Sequence, residues 1–270
     1  MRPMPISLYK KIGETPLGRI ERLRNESLEY KDATLSYAGR LDPVAEGVML
    51  VLVGEENKNR EKYLGLEKEY EFDVLWGVET DTYDVLGKIT ASHDVTSEHN
   101  FELDSGPDKE KIKKLLEKYK GKIKQKYPPY SSQPVKGRPL FEWARDGKID
   151  QIEIPEKEIE IKEISLLGQS AISAVDLKKK ILENIFLVKG DFRQEEIAAG
   201  WNTFFINFAK HLAQNSTVKF YISTFRAVVT SGAYMRGLAD SFGKELGLGA
   251  LALRIVRTRV GEYKIEDSIH

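Results

Sequence analysis

The chain has 270 residues, enough for one large domain or two small ones, and its 41% apolar content is sufficient for a packed core. Lys+Arg and Asp+Glu balance at 42 each, which excludes a uniformly basic polyanion binder while leaving room for a local patch. Cysteine is absent, which excludes disulfides, thiol nucleophiles and thiolate metal sites. No uncharged apolar run reaches membrane-spanning length, and the first residues lead into Lys10-Lys11 rather than an apolar signal core, so a soluble, cytoplasmic protein with no membrane partner is expected.

In chain order, residues 15–30 predict a short amphipathic helix with Leu17, Ile20, Leu23 and Leu28 on one face. Val48–Val53 is a continuous apolar run closed by Gly54, the pattern of a strand covered on both faces. Tyr70, Phe72, Val74 and Trp76 alternate with Glu71, Asp73 and Leu75, a strand ended by Gly77. Thr80–Asp84 is a polar turn, from which Val85–Ile89 is expected to pair back, and residues 90–107 read as a surface loop. A helix follows Asp108, with Ile112, Leu115, Leu116 and Tyr119 on one face and Gly121 as its stop. Four prolines keep 127–139 out of helix, and Phe141–Arg145 starts a short one.

Residues 175–188 and 201–213 predict two further helices, the second with an apolar stripe of Trp201, Phe204, Phe205, Phe208 and Leu212 that reads as core packing. Val218, Phe220 and Ile222 alternate, as do Phe225, Ala227 and Val229. The phase breaks between the two sets, which predicts a turn or bulge there. Met235, Leu238, Ala239, Phe242 and Leu246 follow helical spacing, with Arg236 and Asp240 together on another face. Strands and helices mix without regular alternation, so an α+β fold is expected.

Three segments carry possible chemistry. Asp42 lies in the Gly- and Pro-punctuated loop Gly39-Arg40-Leu41-Asp42-Pro43, immediately before the buried strand. An Asp before Pro is either a turn starter or a placed catalytic carboxylate, and spacing alone does not decide between them. From Lys109 to Lys148, thirteen Lys+Arg stand against four Asp+Glu, interleaved with Tyr119, Tyr127, Tyr130, Phe141 and Trp143. A solvated helix face explains Lys109–Lys120, but the continuation through Lys126, Lys136 and Arg138 favours contact with RNA or DNA. Ser231-Gly232-Ala233-Tyr234-Met235-Arg236 places an Arg in the first turn of a helix, where the macrodipole disfavours a cation and an anionic partner, Asp42 or a phosphate, would compensate. The four histidines lack metal-ligand spacing, His93 and His99 read as surface residues, and P-loop, Gly-x-Gly-x-x-Gly and nucleophile-elbow motifs are missing.

Together these segments resemble the TruB-type pseudouridine synthases, over most of the chain. Gly39-Arg40-Leu41-Asp42-Pro43-Val44-Ala45-Glu46-Gly47-Val48 matches the family's Gly-x-Leu-Asp-Pro-x-Ala-x-Gly-Val motif. Lys68-Glu69-Tyr70, with Gly77 through Asp84 and Gly87, is similar to the Lys-x-Tyr and Gly-x-x-Thr-Asp-Thr-x-Asp-x-x-Gly strand pair. Leu8–Arg24 is similar to the family's opening segment, with Lys11 in its proline place. Pro128–Ser132 with Lys136-Gly137-Arg138 and Ala144-Arg145, Gly232–Ala239, and Ile255 with Arg257–Gly261 fall where the family has its remaining motifs.

The resemblance implies a pseudouridine synthase fold: a mixed, mostly antiparallel central sheet flanked by helices, with an active-site cleft. It implies Asp42 as the catalytic nucleophile, Arg236 as its ion-pair partner, Tyr70 stacked on a flipped uracil, Tyr234 and Ile255 lining the base pocket, and no cofactor or metal. Tyr37, Arg40, Lys136 and Arg138 would contact RNA, with tRNA and its T-loop uridine as the expected substrate. Another RNA target, or a noncatalytic RNA-binding or RNA-folding protein on the same scaffold, are the alternatives. Ser36-Tyr37 stand where the family has Gly-His, which implies a changed RNA contact, and Arg40 gives the Gly-Arg-Leu-Asp of sister families acting on ribosomal RNA. One catalytic domain over 1–270 is expected, with a helical insertion near 168–215 and no C-terminal RNA-binding domain.

Overall fold

The structure is a computed structural model that describes residues 5–93, 101–102, 106–211 and 219–270. Strand β1 (Ile6–Lys10) leads to α1 (Pro16–Glu26), β2 (Leu35–Ala38) and β3 (Ala45–Val53). Then come α2 (Arg60–Leu64), β4 (Lys68–Trp76), the short pair β5 (Val78–Thr80) and β6 (Ile89–Ser92), and the two-residue strands β7 (Phe101–Glu102) and β8 (Gly106–Pro107). Helix α3 (Lys109–Tyr119) precedes β9 (Gly121–Lys126), the small hairpin β10 (Pro134–Val135) and β11 (Arg138–Pro139), and α4 (Leu140–Arg145). The long strand β12 (Glu156–Ser173) ends in α5 (Ala174–Leu187) and α6 (Gln194–His211), and β13 (Lys219–Val229), α7 (Met235–Leu246), β14 (Ala250–Val260) and β15 (Tyr263–Lys264) complete the order.

Nine strands form one sheet in the order β1-β3-β14-β4-β13-β12-β9, with β2 on β3 and β15 on β14. Every pairing is antiparallel except β14 with β3. The α+β expectation is met, with a mixed and mostly antiparallel sheet. The parallel pairing, Ile255–Arg257 against Ala45–Gly47, is made at the mouth of the Asp42 loop. There Gly47 has φ +111, and a Cβ on it would lie 2.3 Å from the Arg257 carbonyl oxygen, so only glycine lets the two strands approach this closely.

The central strands are covered on both faces. On one, α3 (Ile112, Leu115, Leu116) and α7 (Met235, Leu238, Phe242) pack over Phe72, Val74, Trp76, Phe225 and Ala227. On the other, α5 (Leu177, Ile181, Ile185) and α6 (Ile197, Trp201, Phe205) pack over Leu75, Phe220, Ile222, Leu251 and Leu253. This two-sided burial explains the phase change expected near residue 223. Phe220 and Ile222 face the α5/α6 layer, whereas Phe225, Ala227 and Val229 face the α3/α7 layer. Strand β13 is continuous, and the irregularity is in its partner β12, where the register shifts between Leu166 and Gly168. The aromatic stripe is core, as read: Trp201 is fully buried and Phe208 lies 4.7 Å, ring to ring, from Phe220. Leu212, Val218 and His99 lie outside the described residues.

Other expectations are corrected. In α1 the inward face is Pro16, Arg19, Ile20 and Leu23, while Leu17 is 62% exposed and Leu28, beyond the helix, 90% exposed. Arg19 occupies the inner face because the carbonyls of Tyr9 and Ile269 accept its Nε and Nη2 hydrogens at 3.0 and 3.1 Å, while Nη1 lies 4.0 Å from Glu26, so backbone takes up part of a buried cation. The partner of β5 is Ile89–Ser92 rather than Val85–Ile89, and Val85 and Leu86 instead plug the core beneath the turn. The basic run is also less open than its composition suggests. Lys122, Lys124 and Lys126 stand directly opposite Glu160, Glu158 and Glu156, and the Lys122 ammonium is 3.2 Å from Glu158. Acidic β12 therefore neutralises basic β9 strand by strand.

Trp201 also donates its indole N–H to the Val85 carbonyl at 3.1 Å, which fastens α6 to the turn after β5. Trp201→Ala is therefore expected to lower unfolding free energy by about 3–5 kcal/mol in urea denaturation. A loss below about 1 kcal/mol would show that α6 is not part of the cooperative core.

Candidate active site

Asp42 sits at the wall of a cleft of about 680 Å³, lined also by Tyr37, Arg40, Tyr70, Tyr130, Tyr234, Arg236 and Ile255. Its position is set from below. The Asp42 carbonyl accepts from the Ala45 N–H at 3.0 Å, closing a turn, and Leu41, 4% exposed, plants the loop in the core. Two buried cations hold the loop's carbonyls. Lys10 donates to Ala45 (2.6 Å), Lys11 (3.2 Å) and Pro43 (3.4 Å), and Arg257 donates to Val48 (2.7 Å), Gly39 (3.1 Å) and Arg40 (3.4 Å). The loop's backbone is thus fixed on both sides, leaving the Asp42 carboxylate 27% exposed to the cleft.

The partner is Arg236, in the first turn of α7. Its Nε donates to Asp42 Oδ2 at 2.8 Å, Nη1 to the Thr82 carbonyl at 2.9 Å and Nη2 to the Tyr130 carbonyl at 3.0 Å. A second carboxylate, Asp84, is 4.0 Å from Nε. Burial disfavours the Arg236 charge, but Asp42 and then Asp84 outweigh it and hold the guanidinium more firmly protonated than usual. Asp84 is pushed up to about 6, chiefly by burial, with Arg236 opposing and Asp42 adding to the rise. It accepts from the Thr82 hydroxyl (2.7 Å) and the Leu86 N–H (2.9 Å), both inside the 80–86 turn. The anionic partner required by a cation at a helix N-terminus is therefore Asp42. Asp240, read as sharing a face with Arg236, pairs with Lys244 at 2.8 Å.

The aromatic walls are ordered by packing. Tyr70 (8% exposed) and Ile255 (5%) belong to the core and also line the cleft. Tyr234 precedes α7, and the Gln125 side chain clamps its backbone from both sides: Tyr234 N–H to Oε1 at 2.9 Å and Nε2 to the Tyr234 carbonyl at 2.9 Å. Its ring meets Tyr127 edge-on at 5.9 Å, and the Arg236 guanidinium lies 5.5 Å from its centroid. Burial, and then the Asp42 charge, raise the Tyr234 pKa. Tyr37 and exposed Arg40 share the rim, with Arg40 Nη2 donating to the Tyr37 hydroxyl at 3.3 Å.

Lys136 and Arg138 do not line this cleft. Lys136 is exposed at the tip of the β10–β11 hairpin with φ +50, and Arg138 is bound to Glu142 (2.8 Å) and Asp146 (2.9 Å) over the Trp143 ring. His93 hydrogen-bonds Glu79 at 2.7 Å, His270 stacks on Tyr9, and no cluster of three metal-ligating side chains occurs among the described residues. Sequence reasoning missed Lys10, Arg257, Gln125 and Asp84 as parts of the site. It also missed the loop Asp191–Arg193 between α5 and α6, which forms part of the cleft wall.

The site is thus an ion-paired carboxylate at a cleft lined by aromatic side chains, on a mixed and mostly antiparallel sheet flanked by helices. A solved Cbf5-Nop10-Gar1 complex shares that fold, with a TM-score of 0.53 at 16% identity, over 96% of this chain and 49% of that one. The chain belongs to the TruB family of pseudouridylate synthases: the family's N-terminal domain pattern matches residues 28–185. Relatives include tRNA pseudouridine synthase B of Fusobacterium nucleatum, 31% identical over 97% of this chain and 69% of that protein. Another is tRNA pseudouridine synthase B of Aquifex aeolicus, 27% identical over 95% and 68%. The chain thus spans about two thirds of the length of these curated relatives. Among the described residues no helix is long and apolar enough to cross a membrane.

Burial lowers Lys10 to about 8, with Asp42 opposing, and likewise lowers Lys68, at the same cleft, to about 8. Both folded values lie below that of an unfolded lysine, so between pH 8 and about 10 the unfolded chain holds more protons and these groups' contribution to stability rises with pH. Lys10→Met is expected to remove about 1–2 kcal/mol of the gain in unfolding free energy between pH 8 and 9.5. An unchanged gain in urea denaturation would contradict a desolvated Lys10.

Proposed function

We propose that the protein isomerises uridine to pseudouridine in RNA, and that its substrate is the T-loop uridine of a tRNA. The observation that carries this reading is the 2.8 Å contact between Asp42 and Arg236, 194 positions apart, at the wall of a cleft lined by Tyr70, Tyr234 and Ile255. RNA folding alone needs no buried guanidinium aimed at a single carboxylate. The tRNA assignment rests on the names of the relatives, and a cytoplasmic setting is part of the same proposal.

In this reading the uridine leaves its stack and enters the cleft against Tyr70. Asp42, paired with Arg236 at 2.8 Å, is the nucleophile, at either the ribose or the uracil ring. The N1–C1′ bond breaks, the uracil turns within the apolar walls of Tyr70 and Ile255, a C5–C1′ bond forms, and the bond between the Asp42 carboxylate and the substrate breaks, which returns Asp42 to its starting state. N1 takes up a proton and C5 loses one to solvent, so the reaction is a net isomerisation and requires no oxidant or reductant. Arg236 keeps its charge and its aim throughout, because its three acceptors belong to fixed loops. Arg40 and Tyr37 meet the RNA at the rim.

The test uses tRNA labelled with tritium at uracil C5. The wild type is expected to release tritium, and Asp42→Asn to lose release by at least about 1,000-fold while binding tRNA within a few-fold of the wild type. Tight binding by wild type with no release would refute catalysis, and release from ribosomal RNA but not tRNA would refute the substrate.

A further inference from the structure

The α5–α6 unit reaches the cleft at one point, the loop Lys189–Arg193. This loop is tied on three sides. The Lys189 N–H donates to the Gly13 carbonyl at 3.1 Å, Arg145 donates to the Asp191 carbonyl at 2.5 Å, and the Gln194 side chain holds the Val188 and Gly190 carbonyls at 2.9 and 2.7 Å. Gly13 has φ +86, and a Cβ there would lie 2.1 Å from the Leu187 carbonyl oxygen, so the two loops meet backbone to backbone. At the end of this rigid loop Arg193 adopts φ +62, a left-handed conformation that a non-glycine residue adopts only where its surroundings hold it.

The Arg193 side chain touches two other loops at once. Its Nη1 donates to Asp81 Oδ2 at 3.2 Å, and its guanidinium lies 4.5 Å from the centroid of the Tyr130 ring. Asp81 is the neighbour of Thr82, and the carbonyls of Thr82 and Tyr130 are the two backbone acceptors of Arg236. The Asp81 loop is pinned on its far side, where the Asp81 carboxylate accepts from the Lys88 N–H at 2.8 Å and Ala252 donates to the Tyr83 carbonyl at 2.9 Å. Tyr130, by contrast, lies in the proline-rich segment 127–139, outside the main sheet. Burial lifts its hydroxyl to about 12, so it remains a neutral hydrogen-bonding group between Asp81 and Arg193.

Resting on the functional reading above, we propose that Arg193 is a positioning residue, which fastens the Tyr130 loop to the Asp81–Thr82 turn and so holds the two carbonyls that aim Arg236 at Asp42. The helical pair α5–α6 is then a brace for the catalytic ion pair. A planar guanidinium suits this task because it stacks on a ring through its face while donating to a carboxylate through its edge. Without it, the Tyr130 segment keeps its tie through the Ser131 carbonyl to the Phe141 N–H at 3.0 Å but loses its link to the Asp81–Thr82 turn, so the Nη2 acceptor of Arg236 is held less firmly and the aim at Asp42 loosens. Misplacement of a catalytic group by about 1 Å can cost on the order of 100-fold in rate.

The experiment measures single-turnover tritium release at saturating tRNA, KM and thermal midpoint for Arg193→Gln and Arg193→Lys in the whole chain. Arg193→Gln is expected to slow the saturated rate by about tenfold or more, with KM within about threefold and the midpoint nearly unchanged. Arg193→Lys, which keeps the charge toward Asp81 but not the stack, is expected to recover only part of the rate. Adding Asp81→Asn to Arg193→Gln should cost no more than either change alone, because both break the same brace. An unaltered saturated rate would overturn the inference. So would a raised KM with the rate intact, which would make Arg193 a phosphate contact, or a rate loss that tracks a fall in midpoint. A wild type that releases no tritium would overturn the functional reading itself, whereas a releasing wild type matched by Arg193→Gln would overturn the brace alone.

Discussion

The structure is organised around one buried charge. Arg236 is 3% exposed at its side chain, and a guanidinium placed there must find acceptors for its donors and a counter-ion for its charge. It finds Asp42, the carbonyls of Thr82 and Tyr130, and, at 4.0 Å, Asp84. These groups come from three loops far apart in sequence. Removing one partner of such a pair leaves an uncompensated charge, a loss of about 3–5 kcal/mol in other proteins, so the same requirement that satisfies Arg236 also gathers the cleft.

The surrounding fold keeps those loops from relaxing. Lys10 and Arg257 take up the carbonyls of the Asp42 loop, so its backbone is already committed when the carboxylate meets Arg236. Gln125 fixes the first turn of α7 by bonding both backbone groups of Tyr234. The parallel contact of β3 with β14, possible because residue 47 is glycine, brings Ile255 beside Ala45 at the mouth of the Asp42 loop. Lys10, Arg257 and Gln125 are each a polar side chain bonded to backbone in a buried or part-buried setting, where such bonds are costly to leave unmade. A rigid donor set of this kind needs little reorganisation when charge develops in a reaction.

Much of this was legible from the residues, and the exceptions share a cause. Strands β3 and β4 and helices α3 and α7 announce themselves because hydrophobic periodicity is a local signal and these elements bury a regular face. An Arg at a helix start asks for an anion, either Asp42 or a phosphate, and it was the resemblance to the TruB family that pointed to Asp42. Lys10, Arg19 and Arg257 were invisible because a charged residue reads as surface until the carbonyls that bury it are known, and those carbonyls belong to other segments. Leu17 and Leu28 misled for the converse reason, since one apolar residue faces the cleft and the other solvent. The basic stretch 109–148 looked like an open cationic face in part because the glutamates opposite Lys122, Lys124 and Lys126 lie on β12, thirty or more residues later in the chain. Arg193 carries no local signal, as its meaning depends on Tyr130 and Asp81.

The central claim is that the geometry of the Arg236 fork, beyond its charge, holds Asp42 in a reactive position. Arg236→Lys keeps a cation at the site but cannot serve three fixed acceptors in one plane. Rapid-quench tritium release at saturating tRNA is the direct measurement. A rate at least about 100-fold below wild type, with tRNA affinity within about threefold, is the predicted result. A rate within about threefold of wild type would contradict the account.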